Sequence, residues 1–264
     1  RAPRAGRNGA RMTPDALQIG APLLAAIGLA ALVFARVGAA ALFLPAFGEQ
    51  RIPARVRLFA AIGFTLIVAP AIVPSGEGPK VDSLIHGLGA EALSGLILGF
   101  SVRSLIWALQ IAGAMAAQTT SLAQMAGGAA DQSETTIGAF LTISGLALAT
   151  LAGLHVRVAA LFILSYRLLP LGRFPLAPDV IGWSFTRIGE VFTLALSLAA
   201  PFLIAGLLYN IALSALNRAL PKLAVTFIGA PLLTFASIAL LAVAGPAILD
   251  HWLARFLANL DAPF

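Results

Sequence analysis

Glu91, Gly95, Gly99 and Arg103, in the segment EALSGLILGFSVR, are spaced by four and are the first residues here that could do chemistry. On a helix such positions share one face that drifts slowly around the axis. The two glycines form a GxxxG groove that admits a neighbouring backbone, and a carboxylate and a guanidinium close its ends. At about 1.5 Å of rise per residue the two charges stand about 18 Å apart, too far to pair with each other. Each needs a partner elsewhere, on another helix or another subunit, unless both simply flank an apolar patch at an interface. Arg36 raises the same question, because it follows an uncharged run over residues 16–35. A mid-membrane arginine is costly and normally faces protein or water. It either enters a buried interhelix or intersubunit contact or snorkels to the interface.

The second candidate is a polar stretch, QTTSLAQMAGGAADQSETT, residues 118–136. Gln118, Thr119, Thr120, Ser121 and Gln124 offer uncharged hydrogen-bonding groups, and Gly127 and Gly128 allow sharp turns. Met115 and Met125 are unbranched thioethers that fill irregular gaps. Asp131 and Glu134 mark a return to solvent. An exposed loop is one reading. The other is non-helical backbone at membrane depth, which is tolerable only inside protein or lining a water-filled cavity.

Catalytic patterns are missing from the sequence. His86, His155 and His251 are scattered, and there is no HExxH, GxSxG or phosphate-binding glycine loop. Ser144 and Gly145 with the distant His155 suggest a helix contact rather than a serine protease, since Ser and Gly are common where membrane helices touch. No enzyme activity, metal or cofactor is expected, and the absence of cysteine leaves disulfides and thiolate metal sites out.

The elements that must position these residues follow from composition. The chain has 264 residues, 59% hydrophobic and 11% charged, with a mean hydropathy of +0.94. Soluble domains carry about 25% charged residues, so the composition describes an all-α integral membrane protein. About six hydrophobic segments are expected, several long enough to cross a bilayer, and no alternation suggests a barrel. The net charge of +6 does not indicate a nucleic-acid partner, because Arg1, Arg4, Arg7 and Arg11 all fall in one Gly/Pro/Arg-rich segment before Met12. Residues 1–12 read as a disordered basic tail. Met12 is a candidate start, or else the tail is a cytoplasmic anchor. It lacks the cleavage pattern of a signal peptide.

Helices are expected from about Thr13 to Pro45, Leu58 to Ala69, 81–117 (one helix or two), 137–154 and 156–169. A helical hairpin over 188–216 and 223–257 closes the chain around NRALPK. Pro201, Pro231 and Pro246 lie within apolar runs and predict bent, kinked hairpins.

Several of these patterns together resemble the FliR family, the R subunits of the flagellar type III export gate, whose relatives serve in injectisomes. Ala35-Arg36, Pro45, Pro53, Arg57 and Pro70 stand in the family's first arrangement, and Glu91, Gly95, Gly99 and Phe100 in its second. GAMAAQ (113–118), GLHVRVAALFILSYRLLPLG (153–172) and LAAP…NRALPKLAVTFIGAPL (198–232) follow in order. The region 191–264 is also similar to the two-helix Q subunit of the same gate. One position departs: relatives commonly carry glycine where this chain has Thr120.

The resemblance implies a P-like portion over 13–187 containing the polar loop 118–136, and a Q-like hairpin over 188–264. It implies packing in a hetero-oligomeric helical assembly with FliP-like and FliQ-like subunits. The function implied is a core subunit of a gate that passes unfolded export substrates across the bacterial inner membrane at the flagellar basal body. The polar loop, with Met115, Gln118, Thr119, Thr120, Ser121, Gln124, Met125, Gly127 and Gly128, would plug the pore. Arg36, Glu91, Gly95, Gly99 and Arg103 would serve buried charge and subunit packing. Asn217, Arg218, Pro221 and Lys222 would meet an FlhB-like switch subunit. Proximal rod proteins and membrane lipids complete the implied partners. A small secondary transporter using Arg36, Glu91 and Gln118 at a broken-helix site is the alternative, although no inverted repeat is visible. A scaffold without a conduit is a third reading.

Overall fold

Proline sets two of the helix starts. Pro14 is the first residue of α1 (Pro14–Ala41), and Pro53 immediately precedes α2 (Ala54–Ala71). At these positions the missing N–H costs nothing and the fixed φ suits a helix. The computed structural model describes residues 14–45, 53–72, 81–121, 136–219 and 225–263. All regular structure among them is helical, continuing with α3 (Val81–Ser121), α4 (Thr136–Leu151), α5 (Leu154–Leu168), α6 (Ala177–Ala219) and α7 (Val225–Asp261). Five helices are long and apolar enough to cross a membrane, or six spans if α4 and α5 count together as one bent pair.

α3 has the largest buried share of any candidate span and forms the axis of the bundle. α1 runs parallel to it: Leu32 meets Gly87, and the carbonyls of Arg36 and Ala40 meet Gly95 and Gly99. Parallel neighbours require a return between them, which α2 supplies. α4 is antiparallel to α3, with Gly138 against Gly113 and Gly145 against Leu109. α6 and α7 form an antiparallel hairpin. Its base is fixed where Arg187 donates to Asn259 and to the Pro263 carbonyl (2.9 Å). α7 is held on α3 by Trp252, whose indole N–H donates to the Leu105 carbonyl at 2.8 Å.

The hydroxyls illustrate how an apolar bundle accommodates polar groups. Thr65, Ser101, Ser104, Thr142 and Ser165 each donate to a carbonyl three or four residues earlier in their own helix. Such back-bonding satisfies the group without water.

Several boundaries differ from the expectations. α3 is a single helix and runs on to Ser121, so Gln118, Thr119, Thr120 and Ser121 close a helix instead of opening the polar loop. No glycine or proline stands between Gly113 and Gly127 to interrupt the hydrogen-bond ladder. α6 begins at Ala177, with Pro178 in its first turn, so the division expected between residues 187 and 188 falls inside a helix. It then continues through Pro201 without a break, and α7 likewise passes Pro246. A sharp bend of 76° separates α4 from α5. There Gly153 adopts φ +81°, a left-handed conformation that side chains disfavour. The basic tail 1–12 lies outside the described residues.

α3, α6 and α7 are 41, 43 and 37 residues long. About 20 residues cross a hydrocarbon core, so each of these helices extends well beyond one bilayer thickness or packs apolar surface against other protein.

Candidate functional site

The groove expected on α3 is occupied by α1 of the same chain. A Cβ on Gly95 would overlap the Arg36 carbonyl oxygen, and one on Gly99 would stand 2.7 Å from the Ala40 carbonyl oxygen. Backbone meets backbone at this crossing, and the close approach delivers Arg36 to Glu91. Both side chains are fully buried. Arg36 Nε donates to Glu91 Oε2 at 2.7 Å and Nη2 to Oε1 at 3.1 Å, a bidentate fork.

The remaining valences are taken by α5 and the turn after it. Arg36 Nη1 donates to Ser165 Oγ (2.9 Å) and Nη2 to the Leu169 carbonyl (2.9 Å). Glu91 accepts from the Tyr166 hydroxyl (3.2 Å) and from the Gly172 backbone N–H (2.8 Å). The guanidinium also lies over the Tyr166 ring, 3.7 Å from its centroid. Gly172, at φ +69°, can present its N–H there because it has no side chain to resist that conformation.

A buried ion pair recovers its desolvation cost only with good geometry and fully used donors and acceptors, and this one has both. Every polar atom of the pair has a partner within the bundle. No partner for Arg36 or Glu91 was readable from sequence alone. The residues that sequence reasoning missed are Ser165, Tyr166 and Gly172, and the available signal was their place in SYRLLPLG. Arg103 lies about 18 Å further along α3, half-buried and apart from this cluster.

A second focus is where α3 and α4 approach the polar stretch. A Cβ on Gly113 would overlap the Cα and backbone nitrogen of Gly138, so the two helices touch at that point. Met115 is half-buried against the core and Gln118 is exposed. Gln124, Met125, Gly127 and Gly128 lie outside the described residues. The close pair Gly113–Gly138 was not read from the sequence, where GAMAAQ offered only the first glycine.

At the tip of the long hairpin, Arg218 is exposed in the last turn of α6, Asn217 belongs to the same turn, and Pro221 and Lys222 lie outside the described residues. The base of that hairpin holds a polar knot absent from the sequence reading. Arg187 pairs with Glu190 at 3.2 Å, Trp183 donates to the Pro263 carbonyl at 3.2 Å, and the guanidinium faces the Trp183 ring.

Residues 27–258 match the family described as bacterial export proteins, family 1. The flagellar biosynthetic protein FliR of Caulobacter vibrioides is 34% identical over 88% of this chain and 94% of its own length. The protein of that name from Escherichia coli K12 is 28% identical over 77% of this chain and 79% of its own. That of Aquifex aeolicus is 30% identical over 77% and 80%.

Proposed function

Since the chain belongs to the FliR family of bacterial export proteins, we propose that it is a subunit of the flagellar export apparatus, a core component of the gate that forms and closes the protein-conducting channel. The observation that carries this is the near-complete coverage of the Caulobacter protein, 94% of its length, in a chain with five or six candidate spans. No covalent step is assigned to the chain. FliP-like and FliQ-like subunits would share its helical assembly in the bacterial inner membrane, at the basal body. An FlhB-like subunit would meet the hairpin tip at Arg218, and unfolded proteins, proximal rod components among them, would pass through.

Closure is assigned to the polar stretch between α3 and α4. The polar stretch leaves the end of α3 and returns into α4, which packs back antiparallel on α3 with backbone contact at Gly113–Gly138, and such a return suits an element that enters a pore and comes back. Replacing Gln118, Gly127 and Gly128 together by alanine is expected to make the membrane leak small ions and to mistime export. Unchanged tightness and unchanged export would remove the plug. Native mass spectrometry of the gently extracted protein tests the assembly: copies of P-like and Q-like subunits are expected, and a lone chain would overturn it. The transporter reading built on Arg36, Glu91 and Gln118 is disfavoured, because every polar atom of Arg36 and Glu91 is already bonded within the bundle.

A further inference from the structure

The seam between α6 and α7 carries two grooves outside the sites described above. The first, of about 690 Å³, sits at the hairpin base between Thr186, Arg187 and Glu190 of α6 and His251, Arg255 and Asn259 of α7. The second, of about 450 Å³, lies further along the same two helices, between Phe202, Gly206 and Tyr209 of α6 and Ala239, Leu240 and Val243 of α7.

Their electrostatic characters differ. In the first groove Glu190 is already paired to Arg187. Arg255 is exposed and makes no ion pair among the described residues. Arg187 is only 8% exposed, and its buried Nε has no hydrogen-bond partner among the described residues. The base groove therefore holds surplus positive charge and one unused buried donor. The second groove is lined mainly by apolar side chains, and the flanking runs 191–217 and 223–249 contain no charged residue. Arg255 and Val243 are twelve residues apart on α7, about 18 Å along a helix. One leaflet of a hydrocarbon core some 30 Å thick measures about 15 Å.

We infer that this seam binds an anionic phospholipid, its phosphate at Arg255 and Arg187 and its acyl chain along the apolar groove. The occupant must carry negative charge at one end and apolar length beyond it. A phospholipid has that polarity. An amphipathic partner helix distributes its polarity along one side and does not match a step at one end. Basic pockets between membrane helices are known to hold anionic headgroups, and an arginine fork suits a phosphate better than a point charge does. The inference does not depend on the gate assignment.

The test is lipid retention by the full chain, extracted with its natural partners in mild detergent and given phosphatidylglycerol or phosphatidylethanolamine. Native mass spectrometry should show phosphatidylglycerol retained, at least fivefold less of it on Arg255→Gln, and a level between the two on Arg255→Lys, which keeps the charge but loses the fork. Ala239→Leu, which narrows the apolar groove without touching the charges, should also lower retention. Equal retention by the wild type and both the Gln and Leu variants would overturn the site. So would efficient cross-linking of Arg255→Cys, the sole cysteine in that variant, to another polypeptide. Arg255 is exposed, so these variants leave the packed core intact.

Discussion

The Arg36–Glu91 pair is stable only as a pair. Glu91→Gln would leave a guanidinium buried without its counter-charge, an imbalance worth about 3–5 kcal/mol. The expected outcome is a sharp loss of thermal stability in detergent and low abundance in the membrane. Replacing both, as Arg36→Met with Glu91→Leu, should recover most of that loss, because apolar groups of similar size remove the desolvation cost altogether. A double variant as unstable as Glu91→Gln would show that the pair does more than balance charge. Both residues stood out in the sequence because an isolated charge in an apolar run needs a partner. Their mutual pairing was not legible: 55 positions separate them, and nothing local encodes which helix lies against which. The hydroxyl and backbone groups of Ser165, Leu169 and Gly172 are ordinary residue types whose role exists only through the fold.

At the scale of elements, close helix crossings govern this bundle and can be probed one methyl at a time. Gly113→Ala drives a methyl into the Gly138 backbone, which cannot yield as a flexible side chain would. We expect α3 and α4 to part and stability to fall by about 1–3 kcal/mol. Gly38→Ala meets nothing within 4 Å and should be neutral or slightly stabilising, since alanine is the better helix former. Matched melting curves of the two variants check the contrast. Gly153→Ala, at φ +81°, should cost about 1–2 kcal/mol and loosen the elbow between α4 and α5, visible as broadened distances between spin labels on the two helices. Element existence was readable from the apolar runs. The overrun of α3 to Ser121 was not, because Gln, Thr and Ser suit both a polar loop and a helix end. The early start of α6 was masked by Pro175 and Pro178, which suggested a longer loop.

Taken whole, the molecule leaves much apolar surface open on the long hairpin. Leu207, Leu208, Ile211, Phe235, Ile238 and Val243 are all well exposed, and patches on that scale mark lipid or protein contacts. Produced alone the chain should be poorly recovered, and co-production with the proposed P-like and Q-like subunits should raise the monodisperse fraction several-fold; an equal yield would argue against extensive subunit contact. Composition announced the membrane but could not apportion this surface between lipid and protein, since both neighbours are apolar. The buried pair also has a history. Arg36 leaves the ribosome 55 residues before Glu91 and 129 before Ser165. At about 5–20 residues per second, α1 waits several seconds for its counter-charge and longer for the rest. Over that interval an unneutralised arginine opposes insertion by about 2.5–3.5 kcal/mol. Nascent chains ending before α3 should therefore integrate less completely than chains that include it, and the Arg36→Met substitution should abolish the difference.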